Sequence, residues 1–115
     1  MDAPNIDQKI LLNAFRHECK APEILGYLSR NDLLTEKLDD GDMGSFEIHF
    51  KNLPKNVFFE TKKVAPTLVA NDSDNVPIFA TLFLRNGIPS SIELWKVDFS
   101  PVLTFPREWK AETVF

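Results

Sequence analysis

The chain has a single cysteine, Cys19, and two histidines, His17 and His49. A lone thiol excludes an internal disulfide and a cysteine-built zinc site, and it suits a reducing compartment. Glycine is scarce as well: there are four, none grouped into a phosphate-cradling loop. Positive charge is not in excess. Thirteen Lys and Arg stand against seventeen Asp and Glu, and the net charge of −4 disfavours general attraction to nucleic acid or anionic lipid. The longest uncharged apolar run, VPIFATLFL, falls far short of the roughly 20 residues of a membrane span. The opening MDAPNIDQKILLNAF carries an acid where a secretion signal requires basic residues. These absences predict a cytoplasmic protein with no nucleic-acid and no membrane partner.

What the chain does contain is apolar bulk. Of 115 residues, 43% are hydrophobic, ten of them Phe, enough for one core. A single domain over residues 1–115 is expected, with helices at about 6–30, a sheet at about 34–104 and a tail at 105–115. Asn5 with Gln8 three positions on reads as a helix cap. Ile6, Ile10, Leu11, Ala14 and Phe15 then form a stripe at helical spacing. Pro22 opens a second, short helix whose inward residues are Ile24, Leu25 and Leu28. Neither is long enough to stand alone, so both must dock on a sheet.

In SFEIHF, Phe46, Ile48 and Phe50 alternate with Ser45, Glu47 and His49, the pattern of a strand with one wet face. TEKL pairs with it across DDGDMG. KKVAPTLVA and VPIFATLFL read as strands joined by NDSDN, with Pro66 and Pro77 marking edges, bulges or strand starts. Asn86-Gly87 accepts positive φ at both positions of a tight hairpin. In SIELWKVDF the apolar phase changes: Ile92 and Leu94 share one parity, while Trp95, Val97 and Phe99 share the other. A β-bulge near Leu94–Trp95, or a strand buried on both faces, accounts for that. Trp95 then reads as a packed anchor, with Lys96 and Asp98 on the wet side. The fold class is α+β: two N-terminal helices packed on an antiparallel meander sheet of about five strands.

Candidate chemistry is sparse. Asp40 and Asp42 begin an EF-hand spacing, but Gly44 stands where a third ligand belongs. A turn is the simplest account of that cluster; a negative binding surface and a metal come after it. NDSDN has the same ambiguity, and Asn71-Asp72-Ser73 matches a glycosylation acceptor only in form. His17 and Cys19, two apart on a helix, do not face each other. Phe58 and Phe59 near Lys55, Lys62 and Lys63 form the one candidate stacking platform, and such residues are more often core. No catalytic, cofactor-binding or metal-binding residue is assigned, although a carboxylate pair across strands stays open.

Two segments, DDGDMGSFEI and IELWKVDFSPVLTFP, resemble a family of small bacterial proteins of uncharacterised function. Its pattern is an acidic-glycine turn with Met-Gly-Ser, followed later by a Trp-Lys-x-Asp-x-Ser-Pro strand end. The likeness covers about residues 34–106, and it departs at Asp42, where the pattern has glycine. Proteins of this style are similar to the immunity partners of polymorphic toxins, including contact-dependent growth inhibition systems. The resemblance implies a protein that neutralises a cognate toxin domain by occlusion; the acidic balance of the chain points to a basic nuclease as that toxin, and a monomer is expected when unbound. The acidic hairpin residues Glu36, Asp39, Asp40, Asp42 and Glu47 are the expected toxin contacts. A regulatory module with another partner, or a small hydrolase, are the alternatives.

Overall fold

Asn5 opens the first helix. Its side chain accepts from the Gln8 N–H at 2.8 Å, and Gln8 Oε1 accepts from the Asn5 N–H at 2.9 Å, a reciprocal capping box. The structure, a computed structural model, describes residues 1–39, 43–53 and 67–112. Helix α1 (Ile6–Glu18) buries Leu11, Leu12 and Phe15. Ile6, expected on that stripe, is exposed. The inward row runs through Gln8, Leu11, Leu12 and Phe15, and Gln8 Oε1 accepts the Thr35 hydroxyl at 2.7 Å, so the cap residue takes the place assigned to Ile6. Helix α2 (Pro22–Leu28) buries Ile24 and Leu28.

Among the described residues six antiparallel strands follow: β1 (Leu33–Lys37), β2 (Phe46–Phe50), β3 (Leu68–Asn71), β4 (Pro77–Arg85), β5 (Ile88–Lys96) and β6 (Lys110–Ala111). Their order is β1-β2-β5-β4-β3-β6. This corrects the expected five-stranded meander twice. The meander covers only β3–β4–β5, because β2 pairs with β5 rather than β3. The sixth strand comes from the expected tail. Trp109 is buried there, donates from Nε1 to the Pro106 carbonyl at 2.9 Å, and seats the following residues against β3. Two residues are too few to leave a periodic signal.

Asn86 (φ 53°) and Gly87 (φ 77°) form the two-residue turn between β4 and β5, as their residue types require. The bulge lies at the turn end of this hairpin, not at Leu94–Trp95. Phe83 faces Ser91 and Leu84 faces Pro89, so Ser90 is passed over. Pro89 has no N–H for the ladder, which favours an irregularity beside it.

The helices cover one face of the sheet. Beneath them Phe46, Leu68, Ile78, Ala80, Ile92 and Leu94 form the core with Phe15, Ile24 and Leu28. At the β1 edge, Asp2 exchanges two backbone hydrogen bonds with Thr35 and so blunts that edge.

The two motif segments meet in space. Ser45 is buried, and its hydroxyl accepts from the Leu94 N–H at 2.8 Å, extending the β2–β5 pairing by a side chain. Gly44 turns the chain into β2 at φ 98°, a value that disfavours any residue with a Cβ.

Candidate functional site

Below the end of β5 lies a cluster of charges whose centre is shut away from water. Lys96 and Asp72 side chains are fully buried, and Lys96 Nζ donates to Asp72 Oδ2 at 2.9 Å, Asp74 Oδ2 at 2.7 Å and the Pro101 carbonyl at 3.3 Å. Asp72 also accepts the N–H groups of Leu103 at 2.7 Å, Thr104 at 2.9 Å and Ser73 at 2.7 Å. Burial alone would raise the Asp72 carboxyl; the Leu103 N–H, the Lys96 ammonium and the other amides outweigh it and hold the group below its ordinary range. Burial likewise works to lower Lys96, and its bonds to Asp74 and Asp72 leave it raised instead. The NDSDN turn is therefore more than a turn: it supplies the counter-charges that clamp residues 101–104 onto the sheet.

The expectation for the end of β5 is thus inverted. Lys96 faces inward, in register with Ile78, and Trp95 stands on the outer face at 42% exposure. The apolar phase change marks a strand that sends large apolar residues both ways. Trp95 stacks on Phe79 with ring centroids 4.8 Å apart and planes 20° from parallel. One registered row runs Trp95, Phe79, Val69, Lys110; another runs Phe83, Ser91, Glu47, Glu36. Phe83 and Val97 are exposed on this face, and Glu93 lies between the rows. No described residue covers it.

Beyond β5, the Phe99 N–H donates to the Lys96 carbonyl at 2.8 Å, and Asp98 accepts both the N–H and the hydroxyl of Ser100. Those two bonds hold the Asp98 carboxyl below its ordinary range. Phe99 adopts φ 60°, an uncommon value for a bulky residue, and is 77% exposed. The charge cluster behind it fixes the loop that displays this ring.

Residues 4–106 match the family model described as "Domain of unknown function (DUF6984)". The chain belongs to that family. No curated protein and no solved structure matches it. The DUF6984 match ends before Trp109 and β6, so it includes the open face and the charge cluster but not the strand that completes the sheet.

Of the five expected contact residues in this DUF6984 chain, Glu36 and Glu47 are directly opposed on β1 and β2. Asp39 is exposed just past β1, and Asp40 and Asp42 lie outside the described residues. The candidate platform around Phe58 and Phe59 also lies outside them. Sequence reasoning missed His49, whose Nε2 lies 3.0 Å from Glu47 Oε2 and 3.8 Å from Glu36 Oε2. These three are the described donors grouped closely enough to hold a metal ion. His17 and Cys19 form no such group, Cys19 being buried between the helices. No helix among the described residues is long and apolar enough to cross a membrane.

Proposed function

We propose that this protein neutralises another protein by covering it, as an immunity protein covers a cognate toxin domain. The observation that carries this reading is the open face of the sheet. Stacked Trp95 and Phe79, with Phe83 and Val97 exposed beside them, sit among Glu93, Glu47 and Glu36. An apolar centre anchored by aromatics within a charged rim is the anatomy of a protein interface. Lys110 closes the Trp95 row at its far end, so the negative rim lies on the Glu93, Glu47 and Glu36 side, and that side complements a basic surface, such as a nuclease uses to hold phosphates. Occlusion requires no reaction, cofactor or catalytic residue of this chain, and the proposal is of a cytoplasmic monomer awaiting its partner. The contact set then centres on β4 and β5, with Glu36, Asp39 and Glu47 at its β1–β2 side. A toxin gene adjacent to this one is what the reading expects, and co-expression with its toxin domain tests it. Growth should be protected by the natural chain and lost with Trp95→Asp; equal protection by both would refute the assigned face.

A further inference from the structure

Glu36 and Glu47 stand directly opposite each other in the β1–β2 ladder. Like charges in that position destabilise a sheet, and a bound cation would offset the repulsion. His49 follows Glu47 by two residues, so its ring rises on the same face. One donor atom from each of Glu36, Glu47 and His49 falls within 4.8 Å of the others. Tetrahedral zinc, with bonds of about 2.0–2.1 Å to nitrogen and carboxylate oxygen, holds its ligand atoms about 3.3 Å apart. The two distances from His49 Nε2, 3.0 Å to Glu47 and 3.8 Å to Glu36, straddle that spacing.

We propose that Glu36, Glu47 and His49 form an open site for one zinc-class divalent cation. The imidazole nitrogen selects Zn²⁺ and its borderline neighbours over Mg²⁺ and Ca²⁺, which take oxygen ligands. Two carboxylates balance the dication. Three protein ligands leave a fourth position for water or an external donor. A groove lined by Glu47, His49, Leu53, Arg85 and Pro89 runs beside it. The sequence predicts no metal here because the donors lie on separate strands, and only the register of β1 against β2 assembles them. The site does not depend on the occlusion reading.

Zn²⁺ titrated calorimetrically into the chelator-treated full chain tests it. One equivalent should bind, Mg²⁺ and Ca²⁺ should give no comparable heat, and bound Zn²⁺ should raise the melting temperature. His49→Ala should weaken binding roughly tenfold or more, and Glu36→Gln and Glu47→Gln should also weaken it. These carboxylates are on the surface, so the Gln variants retain the fold and provide a readout if His49→Ala does not. His17→Ala should bind as the natural chain does. No Zn²⁺ binding at millimolar concentration would overturn the proposal, as would natural affinity in the His49 and both Gln variants.

Discussion

Lys96 Nζ lies 2.9 Å from Asp72 Oδ2, and neither side chain reaches solvent. Removing one member of such a pair strands the other as a buried, uncompensated charge. Lys96→Ala should lower the melting temperature by on the order of 10 °C or more. Asp74→Asn, at a carboxylate that is one-third exposed, should cost far less. Thermal melts followed by circular dichroism decide between them.

Acid should unfold the protein through its held carboxylates. Asp32 is lowered to about 2, first by the Arg30 side-chain bond and then by the Asn52 N–H, against the effect of burial. Asp72 lies below its ordinary 3.8 as well. A depressed carboxyl contributes stability that is present above its unfolded value and lost as pH falls through the folded one. Denaturant midpoints should therefore decline from about pH 4 downward. Lys96, raised above its ordinary 10.5, contributes fully below that value and loses its share only as pH rises through the folded one. Arg30→Met should make the acid decline shallower; an unchanged slope would remove Asp32 from the account.

Two glycines should resist substitution for backbone reasons. Gly87 has φ 77° and Gly44 φ 98°. Replacing either with Ala should cost about 1 kcal/mol or more, read from denaturant midpoints. At Gly44 the cause is the dihedral rather than crowding, since an added Cβ would come only within 3.7 Å of Phe105.

Much of this architecture was legible in the chain. The Asn5–Gln8 cap, the short helix at Pro22, the Phe46–Phe50 strand and the Asn86-Gly87 hairpin are all local, and local chemistry announced them. What was illegible was decided by distant partners. Lys96 looks wet beside Trp95 until Asp72 and Asp74, more than twenty residues earlier, fold beneath it. Two aspartates in NDSDN beyond what a turn needs were the available signal. The Glu36–Glu47–His49 group depends on strand register, and β6 on the seating of Trp109.

The two faces of the sheet should respond differently to truncation. Phe46 is fully buried, and Phe46→Ala should cost about 3–5 kcal/mol. Trp95→Ala removes a partly exposed ring, and its stacking on Phe79 is worth about 0.5–1.5 kcal/mol beyond the area it covers. Chemical denaturation should rank them in that order. Equal losses would mean that Trp95 serves the fold rather than a partner.

One binding experiment decides whether the Trp95–Phe79 face holds a partner protein. It is calorimetric titration of a toxin domain from an adjacent gene, the partner that the occlusion proposal expects, into the natural chain and a folded Trp95→Ala variant. A tight complex is expected for the natural chain, with association that slows as salt rises and a loss of about 2 kcal/mol or more for the variant. Unchanged affinity in Trp95→Ala, or no complex with the natural chain, would contradict it.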